Sequence, residues 1–131
     1  MADSFMHALE TDQQAYFEQL RATIKEYDTD VVEKVADVMS SKNGLVYSQE
    51  GVFKYALTRN KHHFSFHSMV MYANADIYQL TGDLLPHVEQ QKGCINYKSI
   101  EHMPLQSFIE LIQQSARKDF SPVIAHYQKK S

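Results

Sequence analysis

The sequence predicts a single α+β domain, in which a curved, mostly antiparallel sheet of about four to five strands carries helices on one face. The hydrophobic period supports this, because it changes from about 3.6 residues to about 2 near residue 44 and later returns to about 3.6. The strand-like segments also follow one another as a block instead of alternating with helices. The length of 131 residues, with 44% hydrophobic side chains, suits one core and is short for two domains.

Two helices are predicted in the N-terminal third. The first covers about residues 11–27, because its apolar side chains recur at helical spacing. The members of this stripe are Phe17, Leu20, Ile24 and Tyr27. The second covers about residues 30–39, where Asp30 and Glu33 suit a helix N-terminus. Its apolar stripe is Val31, Val35 and Val38.

Three strands are predicted next, and they form an antiparallel meander. Residues 44–49 and 52–58 alternate between two faces on either side of the connection "QEG". The dipeptide "RN" that follows is the predicted turn into a third strand at residues 61–69. Within that strand, Phe64 and Phe66 are expected to face the helices.

The rest of the chain is predicted to add a short helix, a strand and a long helix. The short helix covers about residues 74–82, with Asn74 as its N-cap and Gly82 as its C-terminal stop. A fourth strand covers residues 93–99, and an amphipathic helix covers residues 103–120. The predicted divisions of the domain are an N-terminal extension, 1–10, a core, 11–117, and a C-terminal extension, 118–131.

The charge is distributed unevenly along the chain. Its net value is −3, but residues 1–40 contain nine acidic and three basic side chains, which is a local net charge of −6. A chain of this kind is not expected to bind nucleic acid through bulk positive charge. Cys94 is the sole cysteine, so no internal disulfide forms, and a cytoplasmic location is expected. The sequence has neither a membrane-spanning stretch nor a signal-peptide pattern.

Three of the seven histidines fall in the stretch "KHHFSFHSM" at residues 61–69. On a strand, His63 and His67 share a face but lie four rises apart, about 13 Å, which is too far for both to bind one ion. The stretch therefore predicts no chelating pair. Instead, His63, Ser65 and His67 are expected on the sheet face away from the helices. They would be exposed polar residues there or, under a loop or second subunit, a ligand pocket.

No catalytic residues are predicted. Cys94 and a distant histidine would be a formal nucleophile and base, but nothing around Cys94 in the sequence is activating. The chain contains no GxSxG, HExxH or glycine-rich phosphate motif. These absences favour a protein that is not an enzyme, although they leave an enzyme using histidine and tyrosine as acid and base as an alternative.

Four stretches together resemble the YdhG-like family of small bacterial proteins. They are "DTDVVEKV", "VFKYALTRNKHHFSFH", "KGCINY" and "MPLQSFIELIQ", which fall within residues 11–117 in the family's order. The resemblance implies a frataxin-like fold, weakly bound iron, and delivery of that iron to iron–sulfur or haem assembly proteins by a monomer or homodimer. The sequence departs from the family pattern in its histidine-rich middle strand and at Cys94, where threonine is common.

Five carboxylates near the predicted helical bend are the candidate metal ligands. Hard cations prefer oxygen ligands, and an exposed group of carboxylates can hold ferrous iron loosely, as the resemblance implies. The candidates are Glu26, Asp28, Asp30, Glu33 and Asp37. The alternative for these residues is helix capping and solubility. The alternative for the whole protein is a non-catalytic module that binds a small molecule or a protein on the face with His63 and His67.

Overall fold

The structure is a computed structural model, and it describes residues 5–6 and 9–128. Residues 1–4 and 7–8 of the predicted N-terminal extension, and the last three of the C-terminal extension, lie outside the described residues. Residues 9–128 form five α-helices and six strands. In chain order these are α1 (Thr11–Tyr27), β1 (Val32–Val38), β2 (Ser41–Gln49), β3 (Val52–Arg59), β4 (Phe64–Ser68), α2 (Met69–Ala73), α3 (Ala75–Leu84), β5 (Glu89–Gln90), β6 (Cys94–Tyr97), α4 (Leu105–Ala116) and α5 (Ser121–Gln128).

The sheet confirms the predicted α+β class. Its strand order is β1-β2-β3-β4-β6-β5, and every neighbouring pair is antiparallel. The sheet has one strand more than the upper predicted number. Two of its six strands lie outside the four predicted strand segments: β1, which the sequence predicts as a helix, and the two-residue β5 at the opposite edge. The helices pack against one face of this sheet, and the cluster on the other face contains only strand residues among those described.

The main core lies between the helices and the sheet. In α1, Phe17, Leu20 and Ile24 are fully buried as predicted, but Tyr27 at the helix end is 37% exposed. Phe66 of β4 packs edge-on against Phe108 of α4, with ring centroids 5.1 Å apart. The apolar face of each helix thus meets the apolar face of the meander, and this burial is the dominant favourable term in folding.

The predicted helix at residues 30–39 is wrong, because this segment forms edge strand β1. Its valines suit both helical and strand periodicity, but β-branched side chains favour the pleated conformation. Pairing with β2 decides between the two, with Val35 opposite Leu45. Glu33, which a helix would place near its N-terminus, points toward the helices beside Val35 and is paired there with Arg21.

The β2–β3 hairpin contains a two-residue turn and a bulge. Glu50 and Gly51 both have positive φ, of 51° and 79°, which defines a type I′ turn and matches the twist of the strands. The register shifts between Tyr47 and Ser48, so Lys54 is the extra residue on β3. Because of the bulge, Lys54 and the following Tyr55 are both buried on the helix side.

The predicted "RN" turn between β3 and β4 is also wrong, because the connection spans residues 60–63. Asn60 Oδ1 accepts hydrogen bonds from the backbone N–H groups of His62 and His63 at 2.8 and 2.9 Å. The Asn60 N–H donates to the His63 carbonyl at 3.0 Å. An asparagine that satisfies the local backbone in this way stabilises a longer loop than the dipeptide pattern predicts.

The helical segment between β4 and β6 begins earlier and ends later than predicted. Ser68 ends β4 and caps α2, its Oγ accepting from the Met71 N–H at 3.0 Å. Helix α3 then continues through Gly82, which was predicted to end it, as far as Leu84. A Cβ at Gly82 would lie 3.0 Å from Gln90 Oε1, so the glycine permits close approach of β5. In the described part of the chain, no helix is long and apolar enough to cross a membrane.

Candidate functional site

Strand β4 places its histidine on the face predicted from the period of 2. Phe66 is buried in the main core, and Ser65 and His67 lie on the opposite face. His67 Nε2 lies 3.1 Å from Thr58 Oγ1 on the neighbouring strand. Burial lowers the pKa of His67, so the imidazole is neutral at physiological pH. His67 therefore belongs to a partly buried polar pair on the sheet.

His63 lies in the β3–β4 loop, one residue before β4, and its ring is held from both sides. Its Nε2 lies 3.2 Å from Asn60 Nδ2, and its Nδ1 lies 3.3 Å from Ser65 Oγ. Ser65 donates its own proton to Asn96 Oδ1 at 2.6 Å, and Asn96 Nδ2 donates to Glu89 Oε1 at 3.1 Å. Since Ser65 has no second proton to give, His63 Nδ1 must be the donor and Nε2 the acceptor.

These bonds form a directed chain across the uncovered sheet face. It begins at the Asn60 amide in the loop, passes through His63, Ser65 and Asn96, and ends on the Glu89 carboxylate. Each donor therefore has an acceptor, and the last acceptor is charged, which strengthens the final bond. The predicted residues His63 and Ser65 are thus brought together, and the network fixes the orientation of the His63 ring.

The five predicted metal ligands do not come together. Within residues 5–6 and 9–128, no three His, Cys, Asp or Glu side chains are grouped so that they could hold a metal ion. Asp37 accepts from the Asn43 N–H at 3.1 Å and lies 3.7 Å from the Lys42 ammonium. Glu26 and Asp30 are exposed. Iron binding by these carboxylates stays a prediction.

Asp28, one of the five, forms a buried ion pair. Its Oδ2 lies 2.7 Å from Lys54 Nζ, and the two side chains are 3% and 2% exposed. The same oxygen accepts from the Tyr55 hydroxyl at 2.9 Å, while Lys54 also donates to Gln49 Oε1 at 2.7 Å. Burial and the Asp28 carboxylate raise the pKa of Tyr55. The pair ties the end of α1 to the bulge of β3, and the Asp28 charge already has a cationic partner.

Glu33, another of the five, joins α1 to β1. Arg21 binds it with a fork of two hydrogen bonds, at 3.0 and 2.8 Å, and the Tyr47 hydroxyl donates to it at 2.6 Å. Burial opposes ionisation of Glu33, but the bonds from Arg21 and Tyr47 outweigh it and lower the pKa of this carboxyl to about 2. With Lys25 also 3.3 Å away, the negative charge of Glu33 is already balanced.

Cys94 opens β6 and is half-buried. Its Sγ lies 3.4 Å from Gln91 Oε1. Burial, with a smaller effect from Glu89, raises the pKa of the thiol. The thiol is therefore protonated at neutral pH, which is the opposite of the state that a nucleophilic cysteine requires.

Two adjoining depressions lie at the end of the sheet where β3 meets β4, and both are lined by residues 59–61. We call them together the basic cleft. The larger has a volume of about 460 Å³, and its other lining residues are Phe5, Ser40, Ser41, Lys42 and Asn43. The smaller has a volume of about 250 Å³, and its other lining residues are Gln13, His62, His63, Phe64 and Lys98.

The lining of the basic cleft is positively charged, although the chain as a whole has a net charge of −3. Four cationic side chains line it, and no described carboxylate does. They are Lys42, Arg59, Lys61 and Lys98. Only Lys42 has an ion-pair partner in the described part of the chain, the exposed Asp37. A concave surface with one sign of charge raises the local concentration of ions of the opposite sign.

The basic cleft has no counterpart among the sites predicted from the sequence. Its cations come from the start of β2, the end of β3, the β3–β4 loop and the segment after β6, and no linear motif joins these places. The one signal in the sequence is the basic composition of "RNKHH", which the pattern predicts to be a turn followed by a strand. No family model, curated protein or solved structure matches the chain.

Proposed function

We propose that this protein is a non-catalytic binding module that holds a small anionic molecule, one carrying phosphate or carboxylate groups, in the basic cleft. The observation that carries the proposal is the set of four cationic side chains around one concavity without a described carboxylate. Hydrogen bonds from lysine or arginine to an anionic oxygen are about twice as strong as those between neutral groups. The cleft therefore favours an anion over a neutral ligand of the same size.

The size and order of the cleft also support a small ligand. The larger depression falls within the range of roughly 300–1,000 Å³ that is usual for small-molecule sites. The Asn60 side chain fixes the loop backbone, and the hydrogen-bond chain through Ser65 fixes the His63 ring. Ordering these groups before binding reduces the entropy that is lost when a ligand binds. His63 of the predicted ligand surface is part of this proposal, while His67 is not among the lining residues.

The test is a titration of the full chain with pyrophosphate and citrate, followed by amide NMR shifts. We expect shifts at residues 40–43 and 59–63, and none with glucose at the same concentrations. In Lys61→Gln the affinity should fall at least about tenfold, because one charge-assisted bond is lost. Lys34→Gln, which removes an exposed lysine on β1, is the matched control and should bind like the unmodified protein.

Two results would contradict the proposal. One is the absence of shifts at residues 59–63 with either anion at low ionic strength, where surface electrostatics are strongest. The other is an equal loss of affinity in Lys61→Gln and Lys34→Gln, which would mean that the anions respond only to overall charge.

A further inference from the structure

Two histidines outside the basic cleft have their rings in contact. His87 follows Pro86 in the α3–β5 loop, and His102 ends the 3-10 turn Ile100–His102. Their ring centroids are 5.9 Å apart, and the ring planes are inclined by 41°. His87 is exposed and His102 is half-buried. In the described part of the chain, no other two histidine rings are paired in this way.

We propose that His87 and His102 form a two-histidine site for a borderline divalent transition-metal ion such as Zn²⁺. A zinc-bound imidazole nitrogen lies about 2.0–2.1 Å from the metal, so each ring centroid would lie about 3.2 Å from it. At a tetrahedral angle, two such centroids are about 5.2 Å apart. The observed 5.9 Å exceeds this by about 0.7 Å, which a small χ rotation in the two side chains can close.

The backbone around both residues is held by the core, so the pair is positioned before a metal arrives. Val88, which follows His87, and Ile100, two residues before His102, pack against the main core. The 3-10 turn is closed by bonds from the His102 N–H to the Ser99 carbonyl, 3.0 Å, and from the Met103 N–H to the Ile100 carbonyl, 3.2 Å. Only side-chain torsions need to change on binding, which keeps the ordering cost low.

The chemistry of the donors selects the class of ion. Imidazole nitrogen suits zinc, copper and nickel, whereas calcium and magnesium prefer oxygen ligands. No third His, Cys, Asp or Glu converges on the pair within the described residues, so water would complete the coordination. A site with two protein ligands and open positions is expected to bind metal reversibly.

The test is a calorimetric titration of untagged, metal-free protein with Zn²⁺. We expect one equivalent to bind with an affinity that falls at least about tenfold in both His87→Gln and His102→Gln, because a chelating second ligand acts at high effective concentration. The matched controls are His62→Gln and His126→Gln, which remove exposed histidines elsewhere and should change the affinity less than about twofold.

A second readout checks the geometry and the fold. In the unmodified protein, Zn²⁺ should shift the ring NMR signals of His87 and His102 together, and circular dichroism should confirm that each variant is folded. If Zn²⁺ binds equally well to the two pair variants, or if the controls lose as much affinity, the ion binds adventitiously and the proposal is overturned. Absence of binding at millimolar Zn²⁺ also overturns it.

Discussion

Breaking the buried Lys54–Asp28 pair should destabilise the protein far more than removing both of its charges. At 2.7 Å the attraction is about 332/(20 × 2.7), or about 6 kcal/mol, at an effective dielectric constant of about 20. Taking each ion out of water costs several kcal/mol, so the intact pair is close to neutral overall. Either single substitution, Lys54→Met or Asp28→Asn, leaves the partner's charge buried, and we expect a loss of about 3–5 kcal/mol.

The assay is urea unfolding of four proteins: the unmodified chain, the two single variants and the double variant. The double variant contains no buried charge at this pair, and the amide oxygen introduced by Asp28→Asn can still accept the hydrogen bond from the Tyr55 hydroxyl. Its loss of unfolding free energy should therefore be smaller than the sum of the single losses by at least about 2 kcal/mol. Lys34→Met is the matched control, because Lys34 is exposed on β1, and its effect should stay within about 0.5 kcal/mol.

Additive losses would refute this reasoning. If the double variant loses the sum of the two single values, the charges do not interact as a pair in the folded protein. A loss below about 1 kcal/mol for Lys54→Met would likewise show that water reaches the Asp28 carboxylate, against its 3% exposure.

Two further predictions follow from local geometry, and a third tests the iron binding that the sequence predicts. The Glu33 carboxyl has a folded pKa of about 2 and an ordinary value of 4.5, so its stabilisation is complete above pH 4.5 and is lost as pH falls toward 2. Glu33→Gln should lose up to about 3 kcal/mol at pH 7 and show a flatter acid-unfolding curve; an unchanged curve would contradict this pKa. In thermal unfolding, Glu50→Asn should raise the unfolding free energy by about 0.5–1 kcal/mol, because asparagine tolerates positive φ better than glutamate. Gly51→Ala should lower it by about 1 kcal/mol, because alanine is strained at positive φ. Equal effects of the two substitutions would argue against the type I′ turn. Anaerobic Fe²⁺ titration should shift amide NMR signals at residues 18–37 if the predicted iron binding is correct, and unchanged spectra would eliminate it.

The elements that were predicted correctly each show a single hydrophobic period along most of their length. Helix α1 repeats apolar residues every three to four positions, and β4 alternates, so the facing of Phe66 and His67 followed from the period alone. In β3 the bulge at Lys54 interrupts the alternation, and the period did not predict that Lys54 and Tyr55 share a face. Segment 30–39 has no such dominance, because its valines satisfy both periods and pairing with β2 decides the outcome.

Most of the candidate site could not be predicted from the sequence, because contacts between distant segments decide it. Acidic residues that are close in sequence were expected to share a surface, but Asp28 and Glu33 each have a cationic partner from another element. The cations of the basic cleft show the converse, because Lys42 and Lys98 are far apart in sequence and come to line adjoining depressions only when the sheet forms. The order of charged residues along the chain therefore predicted neither the pairing of Asp28 and Glu33 with cations nor the grouping of cations in the basic cleft.

The strand order has a consequence for the folding rate. Strands β1 to β4 pair in succession along the chain, so they can zip together through short loops. Strand β6 reaches β4 only across the intervening residues 69–93, which contain α2, α3 and β5. Because closing that longer loop costs more entropy, we expect the meander to form early and β6 to join late. Substitutions in β6 should then mainly accelerate unfolding, while those in β2 and β3 should slow folding.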